Sequence, residues 1–193
     1  MLTIRQAGSE QDIAHVRELF REYLEWANAR LNEEYGIKLE ISAMLEHDMA
    51  TLDIFLPPQG HLLLALEGSQ AAGLACMKII RDDIVEIKRM YVRPAFRRRG
   101  IARRLLEALI RQARAGGFHI MRLDSTRFMK EAHALYRSLG FEEIEEYPES
   151  EIPPQFRQHW VFMEKDLWHE PEATGDAETT DNCAGACADQ RGR

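Results

Sequence analysis

The sequence is poor in cysteine and has no long apolar run. Of its three cysteines, Cys183 and Cys187 lie in a polar C-terminal stretch, so the sequence predicts no disulfide framework. No apolar segment is long enough to span a bilayer, and residues 1–6 lack the layout of a signal peptide. We therefore expect a cytoplasmic protein that has no membrane partner.

Several motifs of nucleotide-binding proteins and hydrolases are missing as well. Neither Gly-x-x-x-x-Gly-Lys-Ser/Thr nor Gly-x-Gly-x-x-Gly occurs, which argues against a Walker loop and a dinucleotide fingerprint. The seven histidines show no metal-ligand spacing, and no Ser-His-Asp or Cys-His arrangement is legible. Cys183 and Cys187 would fill only half of a tetrahedral site. We expect no metal.

What is present is a core-forming composition with an uneven charge. Hydrophobic residues make up 45% of the 193 residues, and the net charge is −7. Residues 81–130 contain 14 Lys and Arg against five Asp and Glu, a local balance of +9. This favours a bound polyanion. A nucleic-acid patch is the less favoured interpretation, because the whole chain is acidic and no aromatic residues alternate with the arginines; we expect no nucleic-acid partner.

Residues 84–106 predict a strand, a basic turn and a helix. Residues 84–92 are rich in β-branched and aromatic residues, Pro94 ends the strand, and apolar residues recur at helical spacing from Ile101. The first N–H groups of a helix have no intrahelical partner. Because Gly100 and Ala102 let a ligand approach and Arg97 begins a run of three arginines, the turn is suited to a pyrophosphate.

The remaining periodicity predicts a mixed α/β fold. Expected strands are 2–6, 62–66, 71–80, 119–124, a strand from Phe141, and 160–166; expected helices are 9–31, one from about Ser42, 100–115 and 128–139. Helices should cover both faces of the sheet. From about Trp168 the composition turns polar, so residues 1–167 are predicted as one domain and 168–193 as a disordered tail.

The segment Arg97-x-x-Gly100-x-Ala102 after a strand resembles the acetyl-coenzyme A motif of GNAT superfamily N-acetyltransferases. Residues 134–141, Ala-Leu-Tyr-Arg-Ser-Leu-Gly-Phe, strengthen the resemblance, which covers roughly residues 2–167. It implies a GNAT-type central β-sheet, splayed where the cofactor inserts. It also implies acetyl-CoA as cosubstrate and direct acetyl transfer to a primary amine of a small molecule or peptide. Homodimers are common in that family, and the sequence leaves the oligomeric state open.

The resemblance also implies roles for particular residues. Glu86 would be the general base, directly or through a water, and Tyr136 the general acid for the thiolate. A β-bulge near Met90 and Tyr91 would free a backbone N–H for the acetyl oxygen. The residues expected to bind the cofactor are Met90, Tyr91 and Val92 on the strand and Arg97, Arg98, Arg99, Gly100, Ile101, Ala102 and Arg103 at the turn, with Arg103 or Arg104 at the 3′-phosphate.

Structural interpretations stay open beside these roles. Glu86 is able to serve only as an ion-pair partner of Lys88 or Arg89, and Tyr136 has the spacing of a core residue. Where the family often has an asparagine, this chain has Met129. Ser125 or Thr126 would then have to supply the polar group of that asparagine. A non-catalytic acyl-CoA sensor or scaffold on the same fold is the alternative function. The acceptor site is expected among residues 10–52 and 142–160.

Overall fold

The computed structural model describes residues 1–169, which form seven strands and four α-helices. The strands are β1 (Leu2–Gln6), β2 (Gly60–Glu67), β3 (Gln70–Arg81), β4 (Ile84–Val92), β5 (Ile120–Thr126), β6 (Glu142–Ile144) and β7 (Trp160–Asp166). The helices are α1 (Glu10–Tyr35), α2 (Ile41–Ala50), α3 (Ile101–Ala115) and α4 (Lys130–Ser138). The predicted α/β order is confirmed. Apart from Trp168 and His169, the tail predicted for 168–193 lies outside the described residues.

The strands form one mixed sheet in the order β1-β2-β3-β4-β5-β7-β6. Only β4 and β5 run parallel, and the other neighbours are antiparallel. Helices α1 and α2 pack on one face, where Phe20 and Leu64 are buried together. Helices α3 and α4 cover the other face, around Leu105 and Met121. The predicted placement of helices on both faces is therefore confirmed, and each face has its own apolar core.

Helix α1 begins where the sequence predicts and ends later. Ser9 and Asp12 form a reciprocal capping box at its start, which satisfies two otherwise free N–H groups. The helix continues past the predicted end at Leu31 to Tyr35, and Gly36 closes it in the left-handed conformation with φ +68°. Apolar periodicity placed the end too early, because the last turn of the helix is polar and its stop signal is the glycine.

Strand β4 contains the expected β-bulge. Leu74 of β3 pairs with Tyr91, but Cys76, two residues on, pairs with Lys88, three residues away. The extra residue lies next to Arg89, whose φ of +51° is unusual for a non-glycine residue. A strict period of two puts Glu86 and Met90 on one face. The bulge separates them, because Met90 packs against the α3 core.

The parallel pair β4–β5 separates at the bulge. In the described chain its pairing ends at Ile87 and Leu123, although β4 continues to Val92 and β5 to Thr126. On the other side β4 stays close to β3: a Cβ added to Gly73 would lie 2.5 Å from the carbonyl oxygen of Tyr91, so glycine is needed there. The sheet is therefore open on the β5 side of residues 88–92, as predicted.

Candidate active site

A cavity of about 610 Å³ opens where β4 and β5 separate. We call it the main cavity. It is bounded by the end of β4, the start of α3, α4 and two aromatic side chains, Trp26 and Phe128. Ten of the twelve predicted site residues line it: Met90, Tyr91, Val92, Arg97, Arg98, Gly100, Ile101, Ala102, Arg103 and Tyr136. The two that do not are Glu86 and Arg99.

The start of α3 supplies unpaired backbone donors to this cavity. Gly100 precedes the helix in the left-handed conformation, with φ +73°, and no side chain caps the first N–H groups. A Cβ added to Gly100 would meet no heavy atom within 4 Å, so the space beside the turn is open. Amide groups with this orientation and the partial positive charge of a helix start are suited to bind phosphate oxygens.

The four arginines of this turn are not equivalent. Arg97 donates from Nε to the carbonyl oxygen of Val92 at 3.0 Å, and its guanidinium lies 5.6 Å from the Trp26 ring centre. Arg98 lines the cavity with a left-handed backbone, φ +58°. Arg99 instead forms an ion pair with Glu67. Three arginines, including Arg103, are thus in place for an anion, and Arg99 points elsewhere.

Tyr136 approaches β4 from α4. Its hydroxyl oxygen lies 3.9 Å from the sulfur of Met90, and its ring packs against Phe141. Burial raises the pKa of the Tyr136 hydroxyl above its ordinary value. The phenol therefore stays protonated at neutral pH and can donate a proton toward the bulge. The structure supports both interpretations of this residue, since its ring is in the core and its polar end lines the cavity.

Glu86 lies on the opposite face of β4, in a group that we call the charged cluster. Its members are Lys78, Glu86, Lys88, Asp124 and Glu151. The Glu86 side chain is fully buried. Its Oε1 accepts a hydrogen bond from the Tyr147 hydroxyl at 2.6 Å and lies 3.1 Å from the ammonium of Lys88. Its Oε2 is buried and has no hydrogen-bond partner among the described residues.

The protonation of this cluster follows from burial and charge together. Burial raises the pKa of Glu86, although the nearby Lys88 ammonium and the Tyr147 hydroxyl oppose the rise. Burial alone would lower the pKa of Lys88, but the carboxylates of Asp124 and Glu86 outweigh it and raise that pKa. Lys88 is therefore charged at neutral pH, and Glu86 is a stronger base than an exposed carboxylate.

Comparison with known proteins assigns the family. Residues 15–141 match the model of the Acetyltransferase (GNAT) family. This chain belongs to the GNAT acetyltransferase family. Among its relatives, the uncharacterized N-acetyltransferase YjgM of Escherichia coli K12 is 38% identical over 91 residues, 46% of this chain and 54% of that protein. N-acetylaspartate synthetase of Danio rerio is 31% identical over 120 residues, 61% of this chain and 43% of that protein.

The matched region thus spans about half of these two relatives. Among solved structures, the PaiA N-acetyltransferase of Thermoplasma acidophilum in complex with coenzyme A has a TM-score of 0.66. It is 21% identical, and the match covers 86% of this chain and 99% of that one. The likeness shows that the mixed, splayed sheet is the GNAT fold. The match of the family model to residues 15–141 confirms the family resemblance predicted from the sequence.

The GNAT chain departs from the family pattern at the start of α4. Met129, which replaces the frequent asparagine, lines the main cavity. Ser125 contacts Met129 and His133 instead, with its Oγ 3.5 Å from the Met129 sulfur and 3.2 Å from Nε2 of His133. Thr126 Oγ1 is buried and has no hydrogen-bond partner in the described part of the chain. The Ser125 hydroxyl therefore does not take the place of the asparagine in the main cavity, because it contacts Met129 and His133.

Two groups of site residues were missed or undervalued by sequence analysis. Lys78 and Glu151 join the charged cluster from β3 and the 145–154 loop; a lysine inside an otherwise apolar strand was the available signal. An aromatic group also borders the cavity. Tyr35 stacks on His159 with ring centres 4.2 Å apart, and Phe128 packs at 6.1 Å against both Tyr35 and Trp26. It joins α1 to the loops after β5 and β6.

Neither a metal site nor a membrane span is found among residues 1–169. No group of three or more His, Cys, Asp or Glu side chains in that range could hold a metal ion. The four helices described there include none that is both long and apolar enough to cross a bilayer. Cys183 and Cys187 lie outside the described residues.

Proposed function

We propose that this GNAT-family protein is an enzyme that transfers the acetyl group of acetyl-CoA to a primary amine of a small molecule or peptide. One observation carries the proposal: a single cavity brings together the free amides of α3, the β4 bulge and the Tyr136 phenol. These are the groups needed to hold a pyrophosphate, to stabilise a carbonyl oxygen that gains charge, and to protonate a thiolate.

In the proposed reaction the amine attacks the thioester directly. The amine nitrogen forms a bond to the acetyl carbon while the carbon–sulfur bond breaks. Glu86 accepts the amine proton directly or through a water, through its Oε2, which has no hydrogen-bond partner among the described residues. Tyr136 gives its proton to the leaving sulfur. The backbone N–H of Met90 or Tyr91 at the bulge donates to the acetyl oxygen, and Val92 holds the pantetheine arm.

Acetyl-CoA fits the cavity by its chemistry. When bound, it supplies the activated acetyl group. Its pyrophosphate is suited to the amides of residues 101–103 and to Arg97 and Arg98, and Arg103, in the first turn of the helix, lines the same cavity and is suited to a further phosphate. The coenzyme A complex of the T. acidophilum protein and the synthetase activity named for the D. rerio relative support this assignment.

The first test is calorimetric titration with acetyl-CoA and coenzyme A, followed by thiol release with a panel of amines. We expect one-site binding that Gly100→Ala weakens, because a side chain there adds both left-handed strain and bulk at the phosphates. Gly68→Ala is the matched control: Gly68 has φ +61°, open space around it, and no place in the cavity. No binding would overturn the proposal; binding without turnover on any amine would favour the sensor.

A further inference from the structure

The charged cluster contains two lysines beside the proposed base, the buried Lys88 and the part-buried Lys78. Lys78 of β3 pairs in register with Glu86 of β4, and its Nζ lies 3.7 Å from Oε2 of Glu86. Lys88 lies 2.8 Å from Asp124 Oδ2 and 3.1 Å from Glu86 Oε1. Only 13% of the Lys78 side chain and 8% of the Lys88 side chain are exposed. Buried ammonium groups need anionic partners, so the identity of those partners is informative.

The carboxylates around these lysines differ in one respect. Glu86 is fully buried and Asp124 is 9% exposed, whereas the Glu151 side chain is 59% exposed. Glu151 nevertheless provides the close ion pair of Lys78 and lies 3.8 Å from Lys88. The closest anion of Lys78 is therefore an exposed side chain, with Glu86 farther away, while Lys88 has the carboxylates of Glu86 and Asp124 within 3.1 Å.

The loop that carries Glu151 is held in place on both sides. Tyr147 anchors it through Glu86, and Arg122 lies 5.1 Å from the Tyr147 ring centre. After Glu151, the carbonyl oxygen of Ile152 accepts a hydrogen bond from Arg157 at 2.8 Å. The backbone at Glu151 is thus supported, and the ion pair with Lys78 depends on the exposed Glu151 side chain.

We propose that the acceptor is a primary amine that also bears a carboxylate, and that this carboxylate displaces Glu151 from Lys78 and Lys88. This inference rests on the proposed acetyltransferase function and names its substrate class. The carboxylate of an amino acid would sit on the two lysines, and its amino group would then lie beside Oε2 of Glu86, the oxygen that lacks a hydrogen bond.

The charges of the cluster agree with this exchange. Once Glu151 has turned to solvent, Lys78 and Lys88 balance Glu86 and Asp124. A zwitterionic amino acid adds no net charge to that balance, and each of its ends meets an opposite charge. A different reading makes Glu151 a direct ligand of the acceptor's ammonium group. Removal of the Glu151 charge should lower KM for amino acids if Glu151 competes with the substrate carboxylate. It should raise KM if Glu151 binds the substrate ammonium group.

The experiment compares amino acids with their decarboxylated amines in steady-state kinetics. Wild type should prefer the amino acid of each pair. Glu151→Gln should lower KM for the amino acids several-fold and leave KM for the decarboxylated amines unchanged, because the internal competitor is gone. Lys78→Met should raise KM for the amino acids by about tenfold or more. Lys78→Arg, which keeps the charge, should restore most of that loss.

Glu146→Gln is the matched control, since Glu146 belongs to the same loop but pairs with Arg157 at 3.0 Å. It should change neither KM. A rise in KM for both classes of amine in Glu151→Gln would overturn the proposal, as would transfer restricted to amines without a carboxylate. Those outcomes leave the acetyltransferase function intact. Absence of transfer to every amine, with coenzyme bound, would instead contradict the proposed function itself.

Discussion

The two regions on either side of β4 are built in opposite ways. The main cavity presents free donors: the amides at the start of α3, which no side chain caps, and the guanidinium group of Arg98. Arg97 also lines it and donates from Nε to the carbonyl oxygen of Val92. In the charged cluster nearly every group is already paired inside the protein. A site with free donors is prepared for a ligand of opposite charge. A paired site must exchange an internal partner for the ligand, so its selectivity depends on which partner can leave.

The largest effect should come from Glu86→Gln, which keeps the size of the side chain and removes the proposed base. We expect kcat to fall by about 100-fold or more, the usual contribution of a general base. The dissociation constant for coenzyme A should not change, because Glu86 does not line the main cavity. Kinetics and calorimetry on the same preparation measure both. Parallel loss of binding would show that the two regions are one site.

The next largest effect concerns coenzyme A affinity, which should depend on Arg98 and not on its neighbour Arg99. Arg98→Met should weaken coenzyme A binding by about tenfold, since a charge-assisted hydrogen bond to phosphate is lost. Arg99→Met is the control, because Arg99 pairs with Glu67 outside the cavity. Calorimetric titration at two salt concentrations should show a shallower salt dependence for Arg98→Met alone. Equal losses in both variants would contradict the assignment of Arg98 to the phosphates.

A smaller effect concerns pH. The Tyr147 hydroxyl donates to Glu86 and so lowers the pKa of that carboxyl group. Tyr147→Phe should raise this pKa, and the base would then be protonated up to a higher pH. The acidic limb of kcat/KM against pH should therefore move to higher pH. Tyr35→Phe should leave the profile unchanged, because Tyr35 stacks on His159 instead. A shift to lower pH would contradict the role of Tyr147.

The smallest effect lies away from both regions, at the start of α1. Asp12 accepts hydrogen bonds from Arg5, Gly8 and Ser9, and the Arg5 contact lowers its pKa. Asp12→Ala should cost about 1–2 kcal/mol of unfolding free energy at neutral pH. The difference from wild type should shrink as pH falls below the ordinary carboxylate pKa toward the lowered one. Denaturant unfolding measures it, with Glu10→Ala as the control.

Local features of the turn, together with the resemblance to the GNAT family, predicted most of the residues that line the main cavity. A strand followed by Pro94, an arginine turn and Gly100 at a helix start are near neighbours in the chain, and their geometry follows from short-range backbone rules. Ten predicted residues therefore line the cavity. Arg99 does not line the cavity, because it forms an ion pair with Glu67 of β2. The turn alone carries no information about that contact.

The charged cluster was harder to predict from the sequence. Its contacts join residues that are 61 positions apart, as for Tyr147 and Glu86, or 73 apart, as for Glu151 and Lys78. The sequence left open whether Glu86 pairs with Lys88 or Arg89. The structure pairs it with Lys88, and Arg89 binds Asp48 of α2. Which partner a buried carboxylate finds depends on the bulge and on strand register, which no local pattern specifies.

The sequence by itself determined the order of elements, the mixed α/β class and the anion-binding turn, because periodicity, proline and glycine act within a few residues of the chain. The tertiary structure alone decided the face of Met90 and the enclosure of Glu86. One extra residue at the bulge reverses the side-chain alternation after it. The tertiary structure also placed the exposed Glu151 of a distant loop on the part-buried Lys78, because only folding brings β3, β4 and the 145–154 loop together.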